Sequence, residues 1–584
     1  MRGSSTFIKR LSAATAVTAA MAMALAGCGG GNNNAGGDKG KAQPGEAQPA
    51  SGYSGDFKGT YAMPAKDEVH NNAKSRDQIK DGGTLTLPTT QTENFNKVSS
   101  DGNSLYMSRL WDLYMPNNLF LFDAKGNMKP NPDYLTKAEV TKQDPFTVTY
   151  DINPKAKWND GSEIDWTAFK ATWEVTNGKN KGYSPASTAG SEDIASVEQG
   201  TNPKQAVVTY AKVSTPWQGV FQTLYNPKAM DPKVFTSGWV NNPHSEWGAG
   251  PFKVQSSDNT GIVFVPNENW WGDKPKLEKV TYKYLEDQAS LNSFKNGELD
   301  ATAVGNGNRL KTVQGMKDIQ IRVGYSGSTS VMVYNAKSEV LKDLQVRRAM
   351  TMGFDTTTMN KIAYQGMNWT PKTPGSELFP AFQEGADDNR PKEAQQVDRD
   401  GAKKVLEQDG YKMGSDGYYA KDGKTLTARY TYFGDDPTIT ARARAYQQMM
   451  KQIGVKINLD GRDTSKWSKT MNDHDYEVIG MGWSTSSPFD AQTSAYQIYG
   501  SDSESNYTLV GTAEIDKELK APTSIADTAE SIKAVNKAEK AALALYGTFP
   551  YTTQPNFTAV KKGLANYGPA GFENVPVQNW GWEK

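Results

Sequence analysis

One cysteine and three histidines are all that 584 residues hold of the side chains that most often bind metals or attack substrates covalently. A lone Cys excludes an intrachain disulfide, a Cys-based zinc site and an iron–sulfur cluster. Net charge is missing too, with 65 Lys+Arg against 65 Asp+Glu. No global field draws in phosphates, which argues against a nucleic-acid partner. Long apolar runs are absent, and a mean hydropathy of −0.68 excludes a polytopic membrane protein. Aromatics are the surplus, with 14 Trp, 27 Tyr and 20 Phe. The length exceeds one compact core and predicts two or three lobes.

The first 28 residues read as a targeting segment. Arg2, Lys9 and Arg10 form a basic start, and Leu11 to Leu25 is uncharged. That run is too short for a membrane span and suits the apolar region of a signal peptide. Leu25-Ala26-Gly27-Cys28 resembles the bacterial lipobox, in which the Cys is lipidated and becomes the first mature residue. The only Cys sits where a lipobox needs it. Removing Arg2, Lys9 and Arg10 leaves 62 bases against 65 acids, so the mature chain is slightly acidic. Residues 1–27 are thus read as signal peptide, and 28–80 as a lipidated Cys28 with a flexible tether of Gly, Asn, Gln, Ala and Pro. His70 falls in this tether and receives no ligand role.

Beyond it, Thr84-Leu85-Thr86-Leu87 and Phe146 to Ile152 alternate as strands. Ser162 and Asp165 are candidate caps for a helix bearing Trp166, Phe169 and Trp173 on one face. Two stretches have strand–helix–strand grammar. One runs from Val280 to Val304, with Gly297 closing the helix, and the other from Leu426 to Leu459, with Gly454 closing it. Asp400 to Gly410 reads as a further amphipathic helix. Separated units predict an α/β chain with two lobes, each on its own sheet.

Several blocks in order resemble the extracytoplasmic solute-binding proteins of ABC importers, family 5, the class that carries dipeptides, oligopeptides and nickel. They are Tyr150-Asp151-Ile152 with Lys157-Trp158-Asn159-Asp160-Gly161; Gly248-Ala249-Gly250-Pro251-Phe252; Asn267 to Gly272; Asn296-Gly297-Glu298-Leu299-Asp300; Val346-Arg347-Arg348-Ala349 reaching Asp355; and Tyr476-Glu477 through Gly482-Trp483. The resemblance implies a bilobal periplasmic-binding-protein-like fold with an extra subdomain. It divides the chain into lobe I (81–110, 236–328 and 550–584), a subdomain inserted at 111–235, and lobe II at 329–549. It implies capture without chemistry, by two lobes closing about a hinge. The implied partners are a small peptide or other solute, ABC permease subunits, and the membrane through lipid on Cys28. The molecule would be a monomer at the outer face of the plasma membrane, with no cofactor and no metal.

Most motifs have a structural explanation. Trp158-Asn159-Asp160-Gly161 is turn chemistry beside an aromatic anchor. Trp270-Trp271 fits surface packing, and Arg347-Arg348 fits salt bridges between elements. Met481 to Pro488 is the best ligand candidate, because it follows an apolar strand and combines Gly, Trp and hydroxyls. Trp483, Ser484 and Ser486 are its candidate contacts. In the peptide-binding relatives an Asp three residues after this Trp pairs with the peptide α-amine. Here that position is Ser486, which cannot supply the charge-assisted bond. Glu93, Asp112 or Asp490 would have to meet an amine instead, or the ligand has none. The resemblance places Asn94, Phe95, Asn96, Tyr114 and Asn117 on the ligand side of lobe I. It places Tyr325 to Thr329 at the crossing into lobe II, with Tyr325 on the cleft wall.

Catalytic signatures are missing: no G-x-S-x-G, no H-E-x-x-H and no P-loop. The expectation is a lipid-anchored peptide-binding subunit of an importer. An oligosaccharide or other neutral solute is the alternative ligand, and a secreted glycoside hydrolase with two carboxylates is the alternative class.

Overall fold

The structure is a computed structural model that describes residues 48–584, apart from 66, 67, 92, 101, 189, 215, 216, 286, 370, 434–436, 463–465, 467–469, 472, 486 and 504. The signal segment, Cys28 and the tether up to residue 47 lie outside the described residues.

Lobe I is built on a four-stranded sheet. Thr84–Thr89 pairs in parallel with Lys279–Tyr284, and Gly261–Pro266 and Phe252–Asp258 continue it antiparallel. Alternation along the first strand buries Leu85 and Leu87 and turns Thr84 outward. Helix Leu105–Tyr114 starts where the Ser104 hydroxyl accepts from Met107 N. Its buried residues Leu110, Trp111, Leu113 and Tyr114 pack with Trp239, Phe252 and Phe264 into one core.

The inserted subdomain is an antiparallel sheet in the order Leu135–Gln143, Phe146–Ile152, Gln205–Tyr210, Ile194–Gln199. Helix Trp166–Thr176 covers it. Asp165, not Ser162, is the cap, accepting from Thr167 N. Ser162 instead belongs to the expected turn: its backbone N–H donates to Asp160 Oδ1, and Gly161 adopts φ +85°. Trp158 is buried in the core behind that turn, and Trp270 and Trp271 pack edge-on against Tyr134.

A large mixed sheet spans the two expected lobes. Its strands run in the order Ala301–Ala303, Thr548–Lys561, Ile319–Tyr334, Val478–Ser484, Thr427–Phe433, Lys456–Arg462. The unit from Leu426 to Leu459 forms as expected: its strands are parallel neighbours and helix Pro437–Gln452 buries Ala443, Tyr446 and Met450. The unit from Val280 to Val304 is different. Its first strand joins the lobe I sheet, while Ala301–Ala303 pairs antiparallel with Thr548–Lys561. A single helix thus connects two sheets, a topology that local periodicity does not encode.

Two long strands, Ile319–Tyr334 and Thr548–Lys561, pair antiparallel and join the halves. At one end they enter the core with Phe294, Leu310 and Phe557, and at the other the core with Met350, Tyr446 and Phe549. Their register breaks between Tyr325↔Pro555 and Thr329↔Thr553. Tyr325 to Thr329, expected at the crossing into lobe II, lies inside one continuous strand. Pairing with Thr548–Lys561 lapses across this stretch, in the manner of a bulge.

The tether expectation is corrected from residue 48 onward. Gln48 donates to Val323 O at 3.0 Å and accepts from Val323 N at 2.8 Å. Tyr53–Ser54 adds a strand to Ile319–Tyr334 with Tyr53 opposite Ile321. Tyr53, Phe57 and Tyr61 form an aromatic knot that reaches Phe557. Arg322, fully buried, donates to the carbonyls of Ser51, Asn71, Leu564 and Tyr567. Burial pulls its pKa down to about 9. Three rings and a buried arginine overcome the polar composition that suggested a leash.

Arg347 and Arg348 differ in role. Arg348 pairs bidentately with Glu393 at 2.6 and 2.7 Å. Arg347 is buried and donates to the carbonyls of Leu341, Lys342 and Leu545, with no carboxylate partner among the described residues.

Candidate functional site

The expected ligand loop leaves strand Val478–Ser484 beside the break in the long strand pair. Trp483 lies opposite Thr329 and Ser484 opposite Ser328, with the two Ser hydroxyls 2.7 Å apart. Trp483 is half-buried and stacks on Tyr507, with centroids 5.8 Å apart and planes at 13°. Thr485 N donates to Gly327 O at 3.0 Å, and a Cβ on Gly327 would sit 2.1 Å from Thr485 O. Glycine is therefore required where loop and hinge strand touch. Ser486 lies outside the described residues. Ser487 donates to Asp490 from its N–H at 3.0 Å and its hydroxyl at 2.6 Å. Asp490 thereby anchors the loop to helix Asp490–Tyr499.

Tyr325 is half-buried on the hinge strand, 5.3 Å from the Phe382 ring. The two border a small cavity with Pro64, Glu68, Val69 and Ala124. An aromatic cluster of Phe122, Phe382, Phe489 and Phe572 closes the seam between the halves. Phe122 comes from the hairpin Phe120–Phe122/Met128–Pro130, and Phe489 follows the ligand loop.

The first-lobe candidates separate into two groups. Phe95 is buried among the Trp111 and Trp239 core residues, and its carbonyl accepts from Trp111 Nε1 at 2.8 Å. Asn96 has no exposed surface; its amide donates to Phe235 O and accepts from Val98 N. Tyr114 is fully buried in the same core, and burial raises its hydroxyl pKa. Asn94 forms a local turn, its Oδ1 accepting from Asn96 N at 2.9 Å. Phe95, Asn96 and Tyr114 are thus core groups: all three are buried within lobe I, and the Asn96 amide is held there by Phe235 O and Val98 N.

Asn117 belongs to the other group. Its Nδ2 donates to Asp112 Oδ1 at 2.6 Å, and its Oδ1 accepts from Lys97 Nζ at 2.9 Å. Asn118 Nδ2 also donates to Asp112, at 2.8 Å. Desolvation pushes the Asp112 carboxyl up, offset by Lys97 and the two amides, and pushes the Lys97 ammonium down, offset by Asp112. Asp112 thus has two amide donors and an opposing cation, Lys97, already in place. Glu93 is exposed, and its backbone carbonyl accepts from Asn241 N.

Sequence reasoning missed Lys97, Phe122, Phe382 and Phe489. Lys97 adjoins Asn96 and Phe489 adjoins Pro488, so nearness to the chosen motifs was an available signal. Phe382 carried none.

A close pair of carboxylates does exist, Glu377 and Glu539 in lobe II, and both are buried. Glu539 accepts from Ser376 Oγ (2.6 Å), Glu377 N (2.8 Å), Asn389 Nδ2 (2.6 Å) and Tyr499 Oη (3.1 Å). Burial beside this acid raises the Glu377 pKa to about 8. The saturated hydrogen bonding of Glu539 fits a core network, not an acid/base pair in a cleft. Among the described residues no group of three or more His, Cys, Asp or Glu could hold a metal ion, and no helix is long and apolar enough to cross a membrane.

Residues 129–506 match the family model described as bacterial extracellular solute-binding proteins, family 5 Middle. The chain is 32% identical over 507 residues to the oligopeptide-binding protein OppA of Mycobacterium tuberculosis, covering 85% of this chain and 84% of that one. It is 25% identical to OppA of Lactococcus lactis over 64% of this chain and 68% of the other. Two solved structures share the fold. A periplasmic EDTA-binding protein, EppA, has a TM-score of 0.80 at 23% identity, covering 88% of this chain and 98% of that one. Bacillus subtilis AppA in complex with a nonapeptide has a TM-score of 0.70 at 21% identity, covering 87% and 100%. The fold is thus the bilobal α/β one of these binding proteins, and the chain belongs to the bacterial extracellular solute-binding proteins, family 5.

Proposed function

We propose that this protein is the lipid-anchored solute-binding component of an ABC importer and captures peptides between its two lobes. One observation carries the reading: two α/β halves joined by a strand pair whose register breaks at Tyr325–Thr329, directly beside the Trp483 loop. Lobes joined in this way can close on a ligand, which shifts an open state toward a closed one. The OppA relatives and the nonapeptide-bound AppA support peptides as the ligand class. The lipobox at Leu25-Ala26-Gly27-Cys28 supports anchoring outside the plasma membrane, where permease subunits receive the load.

The protein acts by binding, without catalysis. Trp483 supplies a flat apolar wall, and Ser484 and Tyr325 supply polar contacts. Asp112, held by Asn117 and Asn118, serves an α-amine in place of the acid that Ser486 replaces. Titration calorimetry with a short unblocked peptide and with the same peptide N-acetylated tests this. Micromolar or tighter binding of the free peptide is expected. Binding of maltooligosaccharides with no response to either peptide contradicts the ligand class.

A further inference from the structure

The segment that follows residue 47 forms a strap, fastened to one half of the molecule at both ends and touching the other half in its middle. At the first end Gln48 exchanges two bonds with Val323, and Tyr53 lies opposite Ile321. At the second, Asn72 Nδ2 donates to Leu564 O at 3.0 Å and to Glu583 Oε1 at 2.8 Å, and Lys74 N donates to Asn566 Oδ1 at 2.8 Å. Arg322 clasps both ends, through the carbonyls of Ser51 and Asn71. All these partners belong to the expected lobe I.

Between its fastened ends the strap reaches the expected lobe II. Tyr61 N donates to Asn368 O at 3.0 Å. Asn368 Nδ2 donates back to Lys58 O at 3.3 Å and Gly59 O at 3.4 Å. The Phe557 ring of lobe I meets Tyr61 of the strap, with centroids 5.2 Å apart, and Trp369 of lobe II, at 6.0 Å. Farther along, Pro64, Glu68 and Val69 border the small cavity together with Tyr325 of the long strand and Phe382 of lobe II. The lobes meet elsewhere in the same arrangement, with the Phe122 and Phe489 rings 6.0 Å apart at the seam.

The two kinds of attachment differ in strength. The end contacts use a buried arginine, a paired strand and a buried Asn72, whereas the middle hangs on an exposed Asn368 and a half-buried Trp369. Exposed hydrogen bonds exchange readily with water, so the middle can let go while the ends hold. Swinging lobe II away breaks the middle contacts and leaves the others whole. We propose that the strap is a latch across the hinge, which favours the arrangement with the seam shut and so biases the equilibrium between lobe positions before a ligand arrives. The latch touches the hinge and not the Trp483 loop, so it goes beyond the peptide reading and holds for any ligand class.

The test is small-angle X-ray scattering of the full-length protein, kept free of lipid by Cys28→Ser, together with the release rate of pentaalanine. Asn368→Gly combined with Trp369→Ala strips lobe II of its side of the contact, and Gly accepts the left-handed φ of +48° at that position. Without peptide, the double variant is expected to show a larger radius of gyration than the unmodified chain. It is expected to release pentaalanine about fivefold faster or more, because differences in affinity fall mainly on release. An unchanged or smaller ligand-free radius of gyration overturns the latch, whatever the release rate. If the unmodified protein binds no pentaalanine, the peptide reading fails and the ligand-free radius alone decides the latch. Should the double variant fail to fold, Asn368→Gly alone is expected to enlarge the ligand-free radius and to speed release about twofold. An unchanged radius in that variant overturns the latch.

Discussion

Trp483 carries the most weight of any single residue. It sits at a strand end, half-buried and stacked on Tyr507, not enclosed in a core. Trp483→Ala is expected to weaken peptide binding at least about tenfold while shifting the melting temperature by only a few degrees. A collapse in stability with unchanged affinity of the folded fraction would make the ring structural. Glu377 makes a different prediction. Its folded pKa of about 8 lies above the ordinary glutamate value of 4.5. Below the lower value both states hold the proton. Between the two the unfolded chain releases it and the folded chain keeps it, so stability falls as pH rises and levels off above about 8. The slope is on the order of 1 kcal/mol per pH unit for one proton. Glu377→Gln is expected to flatten the profile between pH 5 and 8, read by chemical denaturation at three pH values. An unchanged slope contradicts the assignment.

At the scale of elements, the strap from residue 48 to 80 is integral to the fold. Its carbonyls satisfy Arg322, and each well-buried ring of its knot contributes roughly 2 kcal/mol. Removing residues 1–47 is expected to leave the melting temperature unchanged, and removing residues 1–80 to lower it sharply or prevent soluble expression. Equal melting temperatures for the two truncations contradict the packing. This element was illegible in sequence because Tyr53, Phe57 and Tyr61, although four residues apart, are interrupted by Gly55, Asp56 and Gly59, which break a helix among otherwise polar residues. Strongly periodic elements were legible: the alternation at Thr84–Thr89 and the helical face of Pro437–Gln452 follow local geometry. The partner of Ala301–Ala303 was not, because sheet pairing is set by contacts across 250 residues of chain. The site was half legible for the same reason. The Trp483 loop announces itself by composition. The burial of Phe95, Asn96 and Tyr114 depends on Trp239 and Phe235, more than 100 residues away.

For the whole molecule, the account joins a near-neutral, aromatic-rich chain to a two-lobed trap. The rings divide between core, where Tyr150, Trp158 and Tyr446 are buried, and seam, where Phe122, Phe382, Phe489 and Phe572 meet. The single Cys marks the proposed anchor, and the aromatic cluster of Phe122, Phe382, Phe489 and Phe572 lies where the lobes meet. On the peptide reading proposed above, a mixed ligand population is the expected cargo. Native mass spectrometry of the intact protein, purified without denaturation, tests this most directly. The account predicts bound species of many masses that fragment into amino-acid ladders and are lost together on mild unfolding. A single discrete mass, such as one sugar or one metal chelate, would contradict it.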